Sequence, residues 1–198
     1  MRGLGKSMVL AAGLALAGCA TNSGIDVTRF HLNQPIPRDS IELQPPPGVD
    51  ANGLEFRNHA AVVAADLARQ GFPQPQRPGI SGYIGVLRVE QTSQFRQGNG
   101  SRATVGIGGA TGGSNFRVGG NMQVPVGGGG GNMVMVNSLA LQMRRRSEST
   151  TVWEGRAVEQ VQGNAQGTLT AAVPRLSAAL FQNFPGPSGQ TVRVQPTR

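Results

Sequence analysis

The chain has 198 residues, of which 38% are hydrophobic and only 5% aromatic, with 30 glycines and 13 prolines. That length suits one domain, and the composition means that part of the chain builds the core while Gly- and Pro-rich segments stay outside it. The formal charge is +8, carried by arginine at every basic position except Lys6. The single cysteine excludes an internal disulfide, a zinc ribbon and a paired-thiol redox motif.

The first segment reads MRGLGKSMVLAAGLALAGCATN. Arg2 and Lys6 precede an apolar run at 8–17. As a helix that run spans about 15 Å, half of the ~30 Å of a bilayer core, so it fits a secretory signal and not a membrane span. Leu16-Ala17-Gly18-Cys19 resembles the lipobox of bacterial lipoproteins. That resemblance implies cleavage after residue 18, a diacylglycerol on the Cys19 thiol and an acylated new N-terminus. Two or more chains anchor durably where one binds reversibly. Ala20, not Asp, follows the cysteine, which by the same resemblance implies the periplasmic face of the outer membrane. The mature chain keeps 16 arginines against 10 acidic residues.

Residues 19–24 form a lipidated tether. Residues 25–33 read as a strand with Phe30 and Leu32 on one face and Val27 on the other. A short strand fits 40–44, and Pro45-Pro46-Pro47-Gly48 is a stiff linker. Asn52 and Glu55 have capping-box spacing ahead of a helix ending ADLARQGF, with Gly71 at its C-cap. The expected buried stripe is Leu54, Ala61 or Val62, Ala65, Leu67 and Ala68. Residues 83–91, YIGVLRVEQ, alternate as a strand.

Residues 97–132 hold 14 of the 30 glycines, with β-like pieces at 104–107, 115–118 and 122–126. They read as a Gly-rich extended hairpin inserted in the domain. Strand patterns at 133–146 and 150–162 flank a polar turn and form a hairpin. Leu169, Val173, Leu176, Leu180 and Phe184 make a helical stripe, which Pro174 should bend or reset. A last edge strand fits 190–195. The expected fold is α+β: a two-layer sandwich with a mostly antiparallel sheet and two helices on one face. The domain spans 25–186, after a signal peptide at 1–18, and 187–198 is a tail.

This order, with ADLARQGF, YIGVLRVEQ, Val152-Trp153-Glu154-Gly155-Arg156-Ala157 and a closing helix ending Phe184-Pro185, resembles the domain-of-unknown-function family numbered 4136. That family occurs in bacterial lipoproteins and carries no established activity, so the resemblance implies location and fold. The Gly-rich segment and the tail depart from its pattern.

Catalysis needs converging acids, bases or nucleophiles. His31 and His59 are far apart, with no second ligand at metal spacing. A lipidated Cys19 is no nucleophile. No Gly-x-Ser-x-Gly occurs, and spacing joins neither Asp66 with Glu90 nor Glu154 with Glu159. The glycine clusters lack the following helix and Lys of a phosphate loop. No enzyme, metal or cofactor is expected. Arg144-Arg145-Arg146 is the basic run. Export and few aromatics argue against nucleic acid, leaving a solvated turn or a weak contact with an anionic surface. Trp153 is expected to pack a sheet face. The resulting expectation is a non-enzymatic, lipid-anchored periplasmic protein that binds or supports another envelope component, with an envelope protein as partner. The alternative is a small-ligand or lipid-binding module with the Gly-rich segment as a lid.

Overall fold

Among the described residues, seven strands and two helices follow the order β1 (Ile25–His31), β2 (Ile41–Gln44), α1 (Leu54–Arg69), β3 (Tyr83–Arg96), β4 (Arg102–Ile107), β5 (Met133–Arg145), β6 (Thr151–Gln162), α2 (Leu169–Phe181) and β7 (Gln190–Val194). The structure, a computed structural model, describes residues 24–96, 102–107, 133–162 and 167–195. Cys19, the signal peptide and the expected pieces at 115–118 and 122–126 lie outside the described residues.

One sheet runs β2-β3-β5-β6-β1-β7. All its pairs are antiparallel except β2–β3, which α1 connects. A parallel pair needs such a crossover. β5 covers one edge of β3 from Tyr83 to Phe95, while β2 and β4 share the other edge end to end. β3 thus continues past the expected stop at Gln91, because β4 and β5 pair with its extension. β7 is the last edge strand expected at 190–195, and by pairing with β1 it brings part of the 187–198 segment into the sheet. The arrangement is the expected α+β two-layer one, with α2 against β6, β5 and β1 and α1 packed on α2.

Alternation decides what α2 meets. Ile25 and Val27 of β1, Leu139, Leu141 and Met143 of β5, and Trp153 and Ala157 of β6 point inward and are fully or nearly fully buried. They meet Val173, Leu176 and Leu180, three members of the α2 stripe, together with Val63 and Leu67 of α1 in one core. The VWEGRA stretch is explained by this packing. Trp153 is buried, stacks on Phe181 with ring centroids 6.0 Å apart, and donates from Nε1 to the Pro185 carbonyl at 3.1 Å. Gly155 lies under that ring, and a Cβ there would also come within 2.8 Å of Leu180 Cδ1. Ala157 keeps the next inward position small, so β6 admits both a flat indole and a close helix.

The helices differ from expectation in detail. Gly53, not Asn52, is the N-cap of α1, and no side chain caps it. The Asp50 side chain instead accepts from the Asn52 amide at 2.9 Å, closing a turn one step earlier. The buried face of α1 is His59, Val63, Asp66 and Leu67, while Leu54 is 71% exposed and Ala61, Ala65 and Ala68 are exposed. Of the expected stripe Leu67 is buried and Val62 half-buried against the core, because alanines mark a helix face weakly and the partner is α2, whose Ser177 binds Asp66. Gly71, at φ 89°, follows the end of α1 in the conformation that glycine adopts freely. α2 starts at Leu169 with Thr168 as its N-cap and runs through Pro174 without a reset.

Candidate functional site

The two faces of the sheet hold different chemistry. On the inner face, Arg29 takes the position after Val27 and is 3% exposed. Its guanidinium donates to the carbonyls of Ala179, Leu180 and Gln182 at 2.9, 3.0 and 3.0 Å. These are carbonyls at the C-terminus of α2, where helical partners run out and the negative end of the helix dipole lies; the Ala179 carbonyl also accepts from the Gln182 amide at 3.4 Å. Burial pushes the Arg29 pKa below its ordinary value. At the other end of the inner layer, buried Glu159 accepts from Arg175 at 2.7 Å and from Asn137 at 3.1 Å. Gln91 donates to Asn137 at 2.7 Å and to the Gly167 carbonyl at 2.8 Å. Asp66 is held by Ser177 and Arg69. These contacts interlock strands with one another, strands with α2, and α1 with α2.

The outer face is covered by no helix among the described residues. Across it Thr28, Arg156, Ala140 and Arg88 form one row, and Phe30, Glu154, Gln142 and Val86 the next. The two rows line an open depression of about 490 Å³. A second depression, of about 220 Å³, lies beside the β5–β6 turn and is lined by Leu32, Ile36, Arg145, Glu148 and Val152 among others. Phe30 is 54% and Leu32 62% exposed. The expected division of β1 into two faces holds, with Val27 inward and Phe30 outward. The arginine follows Val27 into the core because α2 ends above it. The signal in the sequence was the alternation Val27–Arg29 against Thr28–Phe30, with no way to tell which side met a helix.

The arginine run divides three ways. Arg146 donates to Glu42 at 2.5 Å and to the Ser81 carbonyl and hydroxyl at 2.9 and 2.8 Å. The Gly79 amide, first, and Arg146 hold the Glu42 carboxyl below its ordinary pKa. Arg145 lies 3.7 Å from Glu148 across the turn. Arg144 faces outward opposite Ile84, and its buried Nε has no hydrogen-bond partner. Arg156 has no carboxylate partner among the described residues.

The other candidates do not converge. His31 bonds through Nε2 to the Gly186 carbonyl at 2.9 Å beside the β1 terminus, while His59 is buried on α1, where burial lowers its pKa. Asp66 is inside the helical layer and Glu90 on the outer face; Glu159 faces inward and Glu154 outward. Among the described residues no group of three His, Cys, Asp or Glu side chains is placed to hold a metal. No helix of the described residues is long and apolar enough to cross a membrane.

No protein-family model matches the chain. An uncharacterized protein of Zymomonas mobilis subsp. mobilis is 28% identical over 213 aligned positions, covering 86% of this chain and 80% of that protein. Among solved structures, a PelC dodecamer from Paraburkholderia phytofirmans aligns over 79% of this chain and 94% of its own, at 11% identity and TM-score 0.44. A PDZ domain protein from Parabacteroides distasonis aligns over 87% of this chain and 39% of its own, at 7% identity and TM-score 0.44.

Proposed function

We propose that the protein is a lipid-anchored envelope protein at the periplasmic face of the outer membrane, which binds or supports another envelope component without catalysing a reaction. The observation that carries this reading is Leu16-Ala17-Gly18-Cys19 directly behind a short apolar run that follows Arg2 and Lys6. The domain begins almost at once after that cysteine, since β1 starts at Ile25. The acid–base side chains of the inner layer also support a binding role: Glu159 is engaged in a contact that joins β6 to α2, and Asp66 in one that joins α1 to α2. The resemblance to the domain-of-unknown-function family 4136, in Val152–Ala157 and the α1 terminus, belongs to the same proposal. Mass spectrometry of the membrane fraction tests the anchor. A mature chain beginning at diacylated Cys19, and loss of membrane association in Cys19→Ser, is the expected result. A membrane-associated chain with unmodified Cys19 overturns it. In-cell crosslinking tests the partner: a defined heteromeric adduct is expected, and recovery of monomer alone rejects a stable partner.

A further inference from the structure

Phe30 and Leu32 present two large apolar side chains on the uncovered side of β1 and the turn after it. On the outer face around them stand Arg88, Arg144 and Arg156, against Glu90 and Glu154, with Arg145 and Glu148 at the rim beside Leu32. Arg88 is 3.4 Å from Glu90 and Arg145 is 3.7 Å from Glu148, while Arg144 and Arg156 have no carboxylate partner among the described residues. Glu154 accepts from the Gln142 amide at 2.6 Å. The surface therefore combines exposed apolar anchors with two arginines, Arg144 and Arg156, that no carboxylate among the described residues pairs, a combination that suits the boundary between headgroups and acyl chains.

We propose that this patch docks on an anionic lipid surface, with Phe30 and Leu32 entering the headgroup boundary and Arg144 and Arg156 taking lipid phosphates. The proposal rests on the lipid-anchor reading for the nearness of a membrane. Residues 19–24 reach about 17 Å when extended. From Ile25 to Leu32 the chain spans about 23 Å at strand rise. An anchor at one end of β1 and the patch at the other therefore meet one plane when β1 lies along the membrane, outer face down, with α1 and α2 turned away. The complement of the unpaired arginines is negative, and the headgroup layer is the anionic surface that an anchored domain meets first. Acyl chains and a basic patch together make the two signals that turn reversible attachment into stable orientation.

The test uses the mature chain from residue 20, which keeps every described element but has no lipid. Sedimentation with phosphatidylglycerol-rich vesicles is compared with pure phosphatidylcholine vesicles. The expected result is salt-sensitive binding to the anionic vesicles and a loss of about tenfold or more in both a Phe30→Ser/Leu32→Ser variant and an Arg144→Gln/Arg156→Gln variant. Circular dichroism and the melting temperature show that each variant is folded. No binding of the parent chain to anionic vesicles, or equal binding by both variants, overturns the proposal. Because no acyl chain is present, this result is independent of whether Cys19 is lipidated, which mass spectrometry of the cellular protein reads separately.

Discussion

The inner and outer faces of the sheet use the same residue types for opposite ends. Arginine is buried at Arg29 and exposed at Arg156, though strand pairing sets Thr28, the neighbour of Arg29, opposite Arg156. Aromatic side chains are enclosed at Trp153 and Phe72 and half open to solvent at Phe30. The difference is what lies above. On the inner side the exposed carbonyls of the α2 C-terminus give a guanidinium three acceptors, and Phe181 and Phe184 give an indole two aromatic neighbours. On the outer side no helix among the described residues supplies either. Position in the layer, not residue type, thus separates the groups that hold the fold from those free to meet something else.

Matched substitutions sharpen that contrast, and the largest effect falls on the indole. Trp153→Ala empties a site enclosed by Phe181, Phe184 and Leu180 and should cost roughly 3–5 kcal/mol in urea denaturation. Phe30→Ala, 54% exposed before substitution, should stay within about 0.5 kcal/mol. Equal losses would mean that the outer face is packed against something in the folded protein. Next comes the arginine pair. Arg29→Met keeps most of the aliphatic bulk but leaves the Leu180 and Gln182 carbonyls without their donor and Ala179 with only the Gln182 amide, at about 2–3 kcal/mol. Arg156→Met should again fall within about 0.5 kcal/mol. If Arg29→Met were neutral, capping of α2 would contribute nothing net to the fold.

The sequence made the strong periodicities legible. YIGVLRVEQ and the 133–162 hairpin alternate cleanly, and the α2 stripe is spaced by helical turns, so the layers and their contents follow. β1 was harder. Its alternation separates Val27 from Phe30, but which set is buried depends on where α2 ends, a contact between residues about 150 positions apart. The buried face of α1 was hidden for a related reason: alanine on all sides gives little periodic signal, and Asp66 is inward only because Ser177 meets it. Glu159 reads as a surface carboxylate until Arg175 and Asn137 are placed beside it. The exposed Phe30–Leu32 patch was legible as a pair and not as a surface.

The smallest expected effect is a titration that separates the covered layer from the rim. His59 is buried on α1, and burial lowers its pKa against the opposing pull of Glu55. Its folded pKa lies below the unfolded value of 6.5, so above pH 6.5 both states are neutral and stability is unaffected. As pH falls below 6.5 the unfolded chain takes the proton first, and stability declines until the folded pKa is reached. Glu42, on β2 at the rim, is depressed by the Gly79 amide and by Arg146. Its contribution is complete above its unfolded value of 4.5 and is lost as pH falls through the folded pKa. Asp26, lowered by its hydrogen bond to Arg193, loses its contribution in the same acid range. The melting temperature should therefore fall in two limbs. His59→Gln should flatten the upper limb and leave the lower, whereas Glu42→Gln should reduce the lower, which Asp26 shares, and leave the upper. A His59→Gln profile that still declines between pH 6.5 and 5 would place that proton uptake elsewhere, and the covered layer would then carry no titrating group of its own in that range.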